Sequence, residues 1–212
     1  MKRIVYWVLV PLLLALPPLL PAAEEPYAEG FDYERITPAY PLDDDAEVEV
    51  AEFFWYGCPH CYRFEPYLRR WLESKPEHVD FQRVAPPLNP GWRVHAKAFY
   101  AFEVMGVTDA LHRPLFDAIH AEGRRLGSEE ALADLAAEHE VDRSELTDTM
   151  RSFTVDTRVR RAMQLARRYG VNSVPTVIVA GKYRVTGPLA GTYENMIKII
   201  GYLVEKEHAS GE

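Results

Sequence analysis

The two cysteines of this chain stand three residues apart, in Cys58-Pro59-His60-Cys61, and no others occur. Residues 48–55 before them alternate like a strand, and residues 63–73 after them carry Phe64, Tyr67, Leu68 and Leu72 at helical spacing. A strand that runs through a C-x-x-C pair into a helix restricts the available folds sharply, because it sets Cys58 at a helix N-terminus. Free backbone N–H groups and the helix macrodipole favour an anion there. Cys58 should therefore be largely thiolate at neutral pH. Cys61 falls on the same helix face one turn deeper, in a less positive backbone environment, and should be the poorer nucleophile.

The remaining segments fit around this unit. Val79 to Val84 reads as a second strand, followed by a Pro-rich turn at 86–91. Residues 94–169 read as helical throughout, with apolar stripes at Phe99, Phe102 and Met105, at Leu111, Leu115, Ala118 and Ile119, and at Leu132, Leu135 and Ala136. Ser128 and Asp142 are plausible helix starts, and Pro66 should kink the helix that carries it. Strand signals return at 175–179 and 183–185, joined by a tight turn, and a last helix runs from Tyr193 to about Lys206. This order predicts an α/β thioredoxin-like fold with an inserted all-helical domain. The thioredoxin-like domain would occupy 46–92 and 170–212, the insertion 93–169, and residues 24–45 an extended N-terminal arm.

Residues 1–23 have the layout of a secretory signal peptide: Lys2 and Arg3, an apolar run, then the small residues Ala22 and Ala23. A membrane anchor is the competing reading, weakened by four prolines in a run that needs roughly 20 apolar residues to cross a bilayer. The formal net charge of −8 gives no support to nucleic-acid or anionic-membrane binding. The arginines at 158, 160, 161, 167 and 168 read most simply as a solvated helix face.

An inert disulfide or half of a zinc site are the alternatives for the cysteine pair. Zinc would need further ligands, and neither a second C-x-x-C nor a spaced His pair is present, so no metal and no cofactor is expected. A bridge between Cys58 and Cys61 would close a very small loop and add little to folding, which points to reactivity. His60, if more than a surface residue, can offer a hydrogen bond or partial positive charge to the Cys58 thiolate. Alternation puts Glu52 on a face with Val48 and Val50, with Glu49 and Ala51 opposite, so Glu52 should be at least partly buried. A buried carboxyl resists ionisation and can hold or relay a proton. A partly exposed acid remains the alternative. The other histidines are dispersed and receive no role.

The runs Glu52-Phe53-Phe54, Cys58-Pro59-His60-Cys61-Tyr62 and Phe64-Glu65, followed by Val174-Pro175 and Gly181-Lys182-Tyr183, closely resemble the DsbA-type periplasmic disulfide oxidases of Gram-negative bacteria. The resemblance implies an exposed nucleophile at Cys58, a buried partner at Cys61, Pro59 and His60 as the pair between them, and a buried Glu52 beneath the cysteines. It implies a cis bond before Pro175, with Val174 offering its backbone to substrate. It further implies a monomer that donates its disulfide to reduced exported polypeptides in the periplasm and is reoxidised by a DsbB-type membrane quinone reductase. A reductase or isomerase using the same site is the nearest rival; a peptide-binding module with a structural bridge is another.

Overall fold

A computed structural model describes residues 25–40 and 48–211. The leader expected over 1–23, and the part of the arm at 24 and 41–45, lie outside these residues. Strand β2 (Val48–Phe53) leads through α1 (Pro59–Leu72) to β3 (Val79–Val84), which lies parallel to it. On its other side β2 pairs antiparallel with β4 (Thr176–Val179), and β4 with β5 (Tyr183–Thr186). The described part of the arm is not simply extended: β1 (Glu34–Arg35) adds antiparallel to β5, giving the order β1-β5-β4-β2-β3. Between β3 and β4 come α2 (Arg93–Met105), α3 (Thr108–His120), α4 (Glu129–Glu138), α5 (Arg143–Met150) and α6 (Phe153–Arg168). A short α7 (Gly187–Ala190), which periodicity did not reveal, precedes α8 (Tyr193–Gly211).

Local sequence explains many boundaries. The hydroxyl of Ser128 accepts from the Ala131 N–H at 3.2 Å and Asp142 accepts from the Glu145 N–H at 2.8 Å, each capping the helix it opens. Gly106, with φ of 71°, ends α2 in the left-handed conformation that glycine adopts without strain. Pro66 lies inside α1, as expected.

The sheet separates two cores. On one side Val48, Val50, Val177 and Val179 pack with Phe64 and Leu68 of α1 and with Ile199 and Leu203 of α8. On the other, Ala51 and Phe53 meet Phe99, Phe102, Leu111 and Phe116 of the helical block. Helices on both faces leave all six residues of β2 buried. Glu49 lies on the face opposite Glu52, where alternation places it, and it too is buried, because a strand covered on both sides has no solvent face. Among the described residues no helix is long and apolar enough to cross a membrane.

Candidate active site

Helix α1 starts directly on the cysteine motif. Cys58 is its N-cap, with φ of −88° and ψ of 114°, and its sulfur accepts from the Cys61 N–H at 3.4 Å. Pro59 occupies the first helical position, where a missing N–H breaks no helical bond and the fixed φ suits the turn. A side chain at Gly57 would fall 2.2 Å from the Trp55 ring, so only glycine lets the chain pass between that ring and the cap.

Both cysteines are free thiols. The hydrogen bond from the Cys61 side chain lowers the Cys58 pKa most; burial opposes it, and the N–H groups of Cys61 and His60 and then the His60 charge add to the fall, to about 6. Burial pushes the Cys61 thiol in the other direction, well above its ordinary value, and the Cys58 and Glu52 charges add to that. Cys58 is less exposed than the resemblance implied, at 7 % against 0 % for Cys61. The reason is the loop before β4: the Cys58 sulfur lies 3.4 Å from the Val174 carbonyl, across a cis Val174–Pro175 bond.

The His60 ring does not bond the Cys58 sulfur. Its Nδ1 sits 3.2 Å from the Tyr193 hydroxyl and 3.1 Å from the Arg63 guanidinium, so its backbone N–H acts on Cys58 more than its ring does. These residues, with Tyr67, Val174, Pro175 and Pro188, line a groove of about 800 Å³ beside the cysteines.

Glu52 is fully buried and its register partner on β3 is Arg83, whose Nε donates to Glu52 Oε2 at 3.1 Å. Burial, and then the Glu65 charge, raise the Glu52 pKa to about 8 against the pull of Arg83. Sequence reasoning missed Arg83 and the groups beyond it. Nη2 of Arg83 reaches Glu65, one helical turn past Cys61, and Glu65 meets His112 of α3, a histidine given no role. A cation in the strand Val79–Val84 was the available signal; its partners on β2 and α1 are set by tertiary packing. No group of three or more His, Cys, Asp or Glu that could hold a metal occurs among the described residues.

Comparison with known proteins gives a consistent picture. Residues 88–191 match the family model of the DSBA-like thioredoxin domain. The chain is 38% identical to the thiol:disulfide interchange protein DsbA of Pseudomonas aeruginosa over 90% of either sequence, and 37% identical to that of Burkholderia cepacia over 97% of each. The crystal structure of Pseudomonas aeruginosa DsbA superposes with a TM-score of 0.83 at 39% identity, covering 87% of this chain and 96% of that one. The DsbA oxidoreductase of Xylella fastidiosa gives 0.81 at 30% identity, covering 86% and 98%.

Proposed function

The chain belongs to the DsbA family of thiol:disulfide oxidoreductases, and on that premise we propose that Cys58 and Cys61 form the disulfide it donates to reduced polypeptides. The observation that carries this reading is the opposite acidity of the two thiols, with Cys58 lowered to about 6 and Cys61 raised.

In the oxidised protein a substrate thiolate attacks the Cys58 sulfur. A substrate–Cys58 disulfide forms, the Cys58–Cys61 bond breaks, and the electron pair leaves on Cys61. A thiolate at a buried sulfur is costly, and a protonated Glu52, within electrostatic reach of Cys61, can supply its proton. A second substrate thiolate then attacks its neighbour's sulfur, closing the substrate disulfide and expelling Cys58 as a thiolate. Stabilising that leaving group favours the reduced enzyme and makes its disulfide the more oxidising, by about 30 mV per pKa unit.

The Val174 carbonyl and the groove beside His60 and Tyr193 offer a substrate segment a backbone acceptor and an apolar wall. Pro59 sets the helix start, and His60 contributes mainly through its N–H. The protein works as a periplasmic monomer, exported by residues 1–23 and reoxidised by a DsbB-type membrane quinone reductase. Equilibration with glutathione tests the oxidase reading. A disulfide more oxidising than the glutathione couple is expected; a reducing value would make the protein a reductase, and a bridge resistant to glutathione would make it structural.

A further inference from the structure

Arg83 stands as one cation between two buried carboxyls. Its Nε is 3.1 Å from Glu52 Oε2, and its Nη2 is 3.2 and 3.3 Å from the two oxygens of Glu65. One positive charge offsets one negative charge, and a second buried charge beside it is costly. Two carboxyls sharing a site in this way hold a proton between them. Arg83 touches both, so Arg83 alone does not decide where that proton resides.

The difference lies in what else each carboxyl meets. Glu52 Oε1 is buried with no hydrogen-bond partner, whereas Glu65 Oε1 lies 3.1 Å from Nε2 of His112. When Glu65 is the ionised one of the two it only accepts, and Nε2 then carries the hydrogen. The other ring nitrogen of a neutral imidazole is then a lone pair, and it lies 2.8 Å from the Tyr56 hydroxyl, which donates to it. The Tyr56 hydroxyl, which can donate or accept, thereby completes the arrangement in which His112 donates to an ionised Glu65. Phe54, Phe99 and Phe116 enclose the imidazole.

We propose that His112 is a positioning residue for the exchange reaction: by donating to Glu65 it fixes the negative charge there and leaves the proton on Glu52, the carboxyl that serves Cys61. A residue of the helical block thus governs proton location at the cysteines without touching either sulfur. The acidities agree with the geometry. Burial pushes Glu65 up, but the His112 hydrogen bond, foremost among the opposing effects, and Arg83 hold it below its ordinary value. Burial lowers the His112 pKa, Glu65 opposes that through its hydrogen bond and charge, and Arg83 adds to the fall, so the ring is neutral at neutral pH. The charged and titratable groups facing it are Glu65 from α1, Arg83 from β3, Tyr56 from the loop before α1, and Asp109 on its own helix, whose effect is the weakest of the electrostatic ones.

This inference rests on the part given to Glu52 above, and carboxyl titration tests it without relying on activity. The full reduced chain is labelled with 13C at its glutamate carboxyl carbons, and the Glu52 and Glu65 signals are identified by their loss in Glu52→Gln and Glu65→Gln. In the parent, Glu52 should titrate near 8, apart from the ordinary carboxylates. His112→Met removes the donor, so the Glu52 midpoint should fall by about one pH unit or more while that of Glu65 rises. His112→Gln keeps an N–H donor and should restore the parent order. Tyr56→Phe, which removes the donor to Nδ1 and leaves Nε2 in place, should move Glu52 the same way by less.

A purely structural His112 would lower the unfolding midpoint and leave the titrations in place. An unchanged Glu52 midpoint in His112→Met overturns the proposal, and should that variant not fold, an unchanged midpoint in Tyr56→Phe does so. A parent Glu52 that titrates with the ordinary carboxylates overturns it as well. The oxidase reading stands or falls separately, on the glutathione equilibrium.

Discussion

Cys58 and Cys61 are chemically identical side chains in one turn of α1, and both are almost completely covered, yet their thiols are displaced in opposite directions. Access to solvent separates them by only a few per cent, so the larger distinction is what each sulfur faces. Cys58 faces the free N–H groups at the open end of a helix and a thiol that donates to it. Cys61 faces a closed interior containing a carboxyl. One helical turn is enough to pass from an environment that holds a negative charge to one that rejects it.

The largest expected effect follows from exchanging the two positions' roles. Cys58→Ser should abolish thiol exchange, whereas Cys61→Ser should leave a Cys58 that forms mixed disulfides it cannot resolve. Alkylation rates of the single-cysteine variants at mildly acidic pH report this directly, with Cys58 faster by tenfold or more. Equal rates would break the contrast.

A smaller effect concerns stability. The folded pKa of Cys58, about 6, lies below the roughly 8.5 of an unfolded thiol, so this contribution to the reduced protein is full above the unfolded value and is lost as pH falls through the folded one. Discounted for solvent screening at the sulfur, it is about 2 kcal/mol. The Cys58–Cys61 loop is too short to restrain the unfolded oxidised chain by more than the low end of the usual range. Urea curves of both redox forms should show the reduced form gaining on the oxidised one between pH 5.5 and 8.5 and surpassing it above neutrality. A gap constant with pH would show that the Cys58 charge is not stabilised by folding.

The smallest effect is expected at His60. Its charge is the weakest of the influences on Cys58 and its ring turns to Tyr193 and Arg63, so His60→Ala should raise the Cys58 pKa by less than about one unit. Thiolate absorbance at 240 nm against pH measures it. A larger rise would place the imidazole in closer control of the sulfur than its hydrogen bonds indicate.

What could be read from the sequence was what neighbours along the chain decide. The strand entering the motif, the helix leaving it and the capping residues Ser128 and Asp142 are all local signals, and each is found where its pattern places it. Glu52 was legible as a buried acid, but the burial of Glu49 on the opposite face was not, because alternation describes a half-covered strand and β2 is covered twice. The pairing of β1 with β5, the register that sets Arg83 opposite Glu52, and the approach of His112 to Glu65 depend on residues tens of positions apart. No periodicity in one segment encodes a partner in another. The orientation of the His60 ring depends in the same way on Tyr193, far along the chain.

The placement of Val174 against Cys58 also has a consequence in time. The nucleophile lies before the helical block and the carbonyl facing it lies after, so a chain emerging from its N-terminus presents the cysteines long before the loop that completes their surroundings. Until α1 is fixed on the sheet, Cys58 lacks the ordered N–H groups that make it acidic and behaves as a common thiol. The acidity of the Cys58 thiol is thus a property that the chain acquires only on folding.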